Sequence, residues 1–236
     1  MMKVKQELIK KIYYQNIIIA IVQIFQYSPE ITALNFKKYL TKSEENEFNA
    51  LTSEIKKKSY VLGRYTAKQT ISLLIRDKNL RDIEITKGIL GQPVVHIKSK
   101  KNVEISISHE RDVYASVAFL YEFPFGIDIE RVTHKNLAVL IRCSSKEERL
   151  NVKYLEMTSI ESLTLLWTTK EALSKILKTG LTLPFWFYEI KGCNFVANNH
   201  IVSSYKYFSQ YISISFVIKD FICTFTCPHL KNIHIE

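Results

Sequence analysis

A chain of 236 residues with 47% hydrophobic content is long enough for one large domain or two small ones with real cores. Its formal net charge of +10 points to an anionic partner, and composition alone leaves that partner open among a nucleic acid, a membrane surface, a nucleotide and an acidic protein. The cysteines Cys143, Cys193, Cys223 and Cys227 form no C-x-x-C pair and no His/Cys cluster of zinc spacing, so they read as reduced thiols of a cytoplasmic protein.

Lys3, Lys5, Lys10 and Lys11 precede an apolar run over residues 17–25. Gln23 interrupts the run, no small-x-small cleavage site follows, and the run is far short of the ~20 residues of a membrane span, so it reads as a buried strand. Residues 41–76 read as helix, opened by a Thr41/Glu44 capping box. Lys57, Arg64 and Lys68 share one stripe of it, and Gly63 inside the pattern points to close packing or the close approach of a ligand. Residues 83–97 form short strands around a turn at Gly91-Gln92-Pro93. Residues 103–109 and 113–119 form two more, joined by Glu110-Arg111-Asp112.

A strand carrying Asp128 follows Pro124, and residues 131–158 then read as a charged, irregular stretch too polar to be core. Thr158 and Glu161 offer a second capping box for a helix running to about Lys178, with Gly180 as its terminator. From Phe185 onward the chain alternates polar and apolar residues, most cleanly at Ile212, Ile214, Phe216 and Ile218, and reads as strands. Each half thus holds strands and one substantial helix. This predicts an α+β fold of two halves, 1–122 and 123–236.

Two acidic motifs carry the chemistry. In Gly126-Ile127-Asp128-Ile129-Glu130 a strand projects Asp128 and Glu130 from one face and the isoleucines from the other. In Trp167-Thr168-Thr169-Lys170-Glu171-Ala172-Leu173-Ser174-Lys175 a helix puts Trp167, Glu171 and Lys175 on one face. Three carboxylates that can converge suit a hard divalent cation gripping a phosphate-bearing substrate. Taken alone, Glu171 and Lys175 are equally an ordinary surface ion pair one turn apart.

With Ile107-Ser108-His109, Leu62-Gly63-Arg64-x-x-Ala67-Lys68 and Gly180-Leu181-x-Leu183-Pro184 in the same order, these motifs make the chain resemble the 4′-phosphopantetheinyl transferases of the Sfp type, the double-sized, monomeric branch of that superfamily. The resemblance implies two similar α+β halves related by pseudo-two-fold symmetry, with the active site in the cleft between them. It implies transfer of phosphopantetheine from coenzyme A to a serine of an acidic acyl or peptidyl carrier protein, with release of 3′,5′-ADP and Mg²⁺ (or Mn²⁺) as the metal. Asp128, Glu130 and Glu171 are then the metal ligands. Glu171 also serves as general base, directly or through water, and Lys175 attends the leaving phosphate and coenzyme A. Arg64, Lys68, Ser108 and His109 fall on the coenzyme A phosphates, with Lys57 a weaker candidate. Gln92 and Pro93 stand where the family often has Gly-Lys-Pro, and Gln92 lacks that charge. Residues 131–158, carrying Arg131, Lys135, Arg142, Lys146, Arg149 and Lys153, border the carrier-protein site.

Two other readings use the same residues differently. One is another Mg²⁺-dependent phosphotransferase or phosphodiesterase, which needs no coenzyme A site. The other is a basic nucleic-acid-binding protein. Against the latter, no zinc finger, RRM signature or helix-turn-helix pattern occurs, so the expectation is no nucleic acid and no membrane partner.

Overall fold

The computed structural model describes residues 4–28, 34–97, 102–196 and 200–236; Lys3 lies outside them. The chain divides into one unit of Met1–Pro124 with Lys231–Glu236, and a second of Phe125–Leu230. The last six residues therefore return to the first unit rather than staying with the second half. Both units mix helices and strands.

The first unit opens with β1 (Val4–Tyr14) and β2 (Ile17–Tyr27), an antiparallel hairpin turned at Gln15 and Asn16, both at positive φ. Two such residues give the twist that a tight hairpin needs. The apolar run is the inner strand β2, paired with β1 on one side and β6 on the other, packed by α3 and buried almost throughout. The charged segment before it is a strand too. Three short or long helices follow, α1 (Leu34–Lys37), α2 (Lys42–Ala50) and α3 (Glu54–Ile75). The helix expected over 41–76 is in fact two, because Ser53 starts α3 afresh by accepting from the Lys56 amide. The Thr41/Glu44 capping box is present.

Next come β3 (Ile83–Lys87) and β4 (Pro93–Ile97), a separate pair, then β5 (Val103–Glu110) and β6 (Val113–Leu120). The main sheet runs β12-β1-β2-β6-β5, where β12 (Ile233–Ile235) is the returning tail. The long α3 covers β2, β5 and β6. Gly63 meets nothing within 4 Å, so helix packing does not require a glycine there.

The second unit holds β7 (Gly126–Arg131), α4 (Leu137–Arg142), α5 (Lys146–Asn151), α6 (Ser159–Ile176), β8 (Ile190–Val196), β9 (His200–Tyr205), β10 (Tyr211–Ile218) and β11 (Phe221–Pro228). Its sheet runs β7-β11-β10-β9-β8, with α6 laid on β7, β10 and β11. The stretch expected to be irregular and outside the core contains α4 and α5, and it buries Leu140, Cys143, Val152 and Leu155. The Thr158/Glu161 box opens α6 as expected. Gly180 does not terminate it. Lys178 takes the left-handed conformation and the Thr179 amide bonds back to the Ser174 carbonyl, so the helix has closed before Gly180.

One buried network recurs in both units. Glu44, third residue of a Thr41 capping box, accepts from the Ile85 amide and from Lys68, whose ammonium also reaches the Tyr39 carbonyl. Glu148, third residue of a Ser145 capping box, accepts from the Ile190 amide and from Lys170, whose ammonium also reaches the Cys143 carbonyl. In each case a glutamate caps a short helix, accepts a strand amide with its other oxygen and locks a lysine of the long helix. No helix among the described residues is long and apolar enough to cross a membrane.

Candidate active site on β7 and α6

Gly126 decides how close β7 and α6 come. A Cβ there would lie 2.0 Å from the Ala172 carbonyl oxygen, so only glycine admits the helix backbone at that distance. Ile127 and Ile129 are buried on one face of β7. Asp128 points the other way and is only 4% exposed, because α6 lies over it.

From Leu163 to Ile176 every residue of α6 is buried except Trp167, Glu171 and Lys175. The spacing of four puts these on one line along the helix, and that line meets the carboxylates of β7. The Lys175 ammonium donates to Asp128 Oδ1 at 2.8 Å and to the Ile127 carbonyl at 2.7 Å. The Trp167 indole Nε1–H donates to Glu130 Oε1 at 3.3 Å. Glu171 stands between these two cross-links on the helix. Burial, and then the charge of Asp128, push its carboxyl above the usual carboxylate range, while Lys175 pulls the other way.

Among the described residues no three His, Cys, Asp or Glu side chains are already grouped to hold a metal. The expected convergence of Asp128, Glu130 and Glu171 is thus not a ready cage, since Lys175 engages Asp128 and Trp167 engages Glu130. The donor chemistry nevertheless fits a hard divalent cation. The groups offered are all carboxylate oxygens, the donors that such a cation takes. The residues that would hold such an ion are Asp128, Glu130 and Glu171. Beside them lies a cleft of about 240 Å³ whose walls include Glu130, Thr133, Asn136, Leu140, Thr164 and Trp167.

The other candidates lie in the first unit. His109 is exposed at the end of β5, stacked on Tyr114 at 5.0 Å, with its Nε2 2.7 Å from Ser59 Oγ. Ser108, beside it, is half-buried. Arg64 has an 11% exposed side chain over the Tyr60 ring, 3.9 Å from both Glu44 and Glu47. Lys57 pairs with Glu54 at 3.1 Å. Gln92 closes its turn internally: its backbone carbonyl accepts from Gly88 and its side-chain oxygen accepts from Leu90. Pro93 opens β4. Lys68 needs correcting. It is wholly buried and clamped by Glu44, so its ammonium has no face for a coenzyme A phosphate.

Sequence reasoning placed Trp167 in the helical row without its role as a donor to Glu130. It passed over Ser59, whose contact with His109 links residues distant in the chain, and the Ser145-x-x-Glu148 box, which is written plainly in the sequence.

Residues 124–226 match the family model of the 4′-phosphopantetheinyl transferase superfamily. That segment takes in β7, α6 and nearly all of the second sheet. A holo-[acyl-carrier-protein] synthase of Clostridium acetobutylicum is 29% identical over 103 residues, which cover 38% of this chain and 83% of that protein. Among solved structures, the holo-(acyl-carrier-protein) synthase of Bacillus anthracis, in complex with CoA (3′,5′-ADP), is similar at a TM-score of 0.36 and 22% identity, covering 43% of this chain and 94% of that one. The Helicobacter pylori enzyme in complex with coenzyme A gives 0.31 and 15%, covering 48% and 99%.

Proposed function

We propose that the chain is a 4′-phosphopantetheinyl transferase of the double-sized Sfp type, acting on an acidic carrier protein with coenzyme A and Mg²⁺. The observation that supports this best is the row Trp167, Glu171, Lys175 on α6 set against Asp128 and Glu130 on β7, inside the segment that matches the superfamily. The named relative is a holo-[acyl-carrier-protein] synthase. The repeated Glu44/Lys68 and Glu148/Lys170 networks support two copies of one α+β unit, as the double-sized branch requires. The protein acts as a cytoplasmic monomer in this reading.

In the reaction the carrier serine oxygen attacks the β-phosphorus of coenzyme A. The bond from that phosphorus to the bridging oxygen breaks, and 3′,5′-ADP leaves. Attack on a pyrophosphate needs its charge neutralised, which a divalent cation supplies when bound. Asp128, Glu130 and Glu171 are the residues that would hold such a cation. Glu171 takes the serine proton directly or through water. Lys175 is placed to steady or protonate the leaving oxygen. Ser108 and His109 remain the candidates for the coenzyme A phosphates, with Arg64 behind them.

Intact-mass analysis of apo-carrier proteins incubated with this protein, coenzyme A and Mg²⁺ tests the reading. A phosphopantetheine adduct on the carrier serine is expected. No adduct on any fatty-acid, polyketide or peptide-synthetase carrier, and no coenzyme A binding in calorimetry, would leave a different Mg²⁺-dependent phosphotransferase as the better reading.

A further inference from the structure

Lys170 precedes Glu171 in the chain but takes no part in the row that faces β7. Its side chain is 1% exposed. The ammonium lies 2.7 and 2.8 Å from the two Glu148 oxygens and donates to the Cys143 carbonyl at 2.8 Å. These acceptors bracket the junction of two short helices. Cys143 follows the last residue of α4, and Glu148 lies in the first turn of α5. One ammonium therefore ties the end of one helix and the start of the next to α6, one residue before Glu171.

Helices of this length need such a tie. α4 and α5 have six residues each, well below the ~12–15 at which an isolated helix becomes even marginal in water. Arg149 joins them to each other, donating to the Ser144 carbonyl at 2.6 Å and the Ile141 carbonyl at 3.2 Å. Glu148 and Asn151 join α5 to β8, through the Ile190 amide at 2.9 Å and the Lys191 carbonyl at 3.2 Å. The segment is thus one braced piece that Lys170 fastens to α6. From it project Arg142 and Lys146, with Val139, Ile141 and Leu150, all exposed. Arg142 is next to Cys143 and Lys146 is two residues from Glu148, so both cations ride on the clamp.

We propose that Lys170 is a positioning residue for the protein substrate: through Cys143 and Glu148 it sets the place of the α4–α5 surface, and of a carrier protein docked there, relative to Glu171. This rests on the reading of the chain as a transferase whose carrier docks at Arg142 and Lys146. A serine presented from a displaced surface meets Glu171 out of line, and a misplacement of about 1 Å can cost on the order of 10²-fold in rate. The first unit supplies the comparison. Lys68 is as deeply buried and makes the matching contacts, with Glu44 and the Tyr39 carbonyl, on helices that carry none of the docking residues.

The test is transfer to an apo-carrier protein, with the carrier and coenzyme A varied in turn and Mg²⁺ saturating. Wild type, Lys170→Met, Glu148→Gln and Lys68→Met are compared at a temperature at which melting curves show each to be folded. Lys170→Met and Glu148→Gln are expected to lower kcat/KM for the carrier about tenfold or more and to keep the KM for coenzyme A within about twofold. Lys68→Met is expected to change neither. In a background with Arg142→Glu and Lys146→Glu, Lys170→Met is expected to cost little more, since the surface it positions no longer docks. Hydrogen exchange of the wild type adds a check that needs no variant: the amides of residues 139–152 should be protected well beyond an unfolded chain. Equal losses from Lys170→Met and Lys68→Met, an unchanged kcat/KM for the carrier, or the full loss in the charge-reversed background overturns the proposal while the transferase reading stands. Free exchange of residues 139–152 in the wild type overturns it too. No transfer by wild type to any carrier overturns that reading, and the proposal with it.

Discussion

The Lys175 ammonium lies 2.8 Å from Asp128 Oδ1, an ion pair to a buried carboxylate. Removing one partner of such a pair leaves the other charge uncompensated, which costs several kcal/mol when both are buried. Here Lys175 is partly exposed, so a smaller loss of about 1–3 kcal/mol is expected for Lys175→Met. Saturating Mg²⁺ should recover part of it, because the ion supplies the missing positive charge. Melting curves with Mg²⁺ and with EDTA check this. A variant as stable as wild type in EDTA would mean that Asp128 does not need its lysine.

Glu171 gives the site a pH dependence. Its folded carboxyl binds a proton more tightly than in the unfolded chain, through burial first and Asp128 second. Stability from this group is therefore greatest at acid pH. It declines as pH rises from the unfolded carboxylate value of about 4.3 to the higher folded value, where the penalty is complete. Glu171→Gln is expected to raise the metal-free melting temperature at pH 7 and to leave it unchanged near pH 4, while abolishing transfer. Divalent affinity of the wild type should rise with pH through the same window, because binding displaces the proton. A Glu171→Gln protein that melts lower than wild type at pH 7 in EDTA would contradict the charge assignment.

The paired networks predict two parallel losses. Lys170→Met takes the ammonium from Glu148 and Lys68→Met takes it from Glu44, each carboxylate being 1% exposed, with Arg64 still 3.9 Å from Glu44. Each change should cost about 3–5 kcal/mol. Lys68→Met should act on stability and not on coenzyme A affinity once the protein is folded. Denaturant titration beside coenzyme A calorimetry separates the two effects.

How far the sequence can be read follows from what each signal measures. The strand now called β2 announced itself because it is buried on both faces along most of its length and is therefore mainly apolar, Gln23 and Gln26 apart. Its partner β1 did not, because Lys10 and Lys11 give it the look of a solvated segment. The row Trp167, Glu171, Lys175 needed only helical spacing. Lys68 could not be told from Lys57, since both lie on one basic stripe and what buries one of them is a glutamate on another helix. The region 131–158 looked too polar for core because its cores are short. Leu140, Val152 and Leu155 are buried singly between neighbours that are exposed or partly exposed. The contacts of Trp167 with Glu130 and of Ser59 with His109 join separate elements, which no local pattern records.

Two glycines should behave oppositely. Gly63 has open space where a Cβ would go, so Gly63→Ala should stabilise α3 by about 0.5–1 kcal/mol. Gly126→Ala must force β7 away from the Ala172 carbonyl and should destabilise the second unit strongly, taking metal affinity with it. Chemical denaturation of both variants is the measurement. A loss of coenzyme A affinity in a stabilised Gly63→Ala protein would instead place the ligand against that part of α3.

The surface over α4 and α5 carries the prediction about the carrier protein. Of its basic residues, Arg131 is paired with Asp220 at 2.6 Å, and Arg149 is turned inward to the Ser144 carbonyl at 2.6 Å. Arg142 and Lys146 are exposed, and they flank the exposed apolar side chains of Val139, Ile141 and Leu150. Basic residues beside apolar ones suit an acidic helix that also offers an apolar contact, and such rim charges steer association and are screened by salt. Charge reversal at Arg142 and Lys146 together should raise the KM for the carrier protein several-fold at low salt, and less at high salt. The KM for coenzyme A should stay within about twofold, because neither residue lies among its candidate ligands. Equal changes in the two constants, or none in either, would move the docking surface away from α4 and α5.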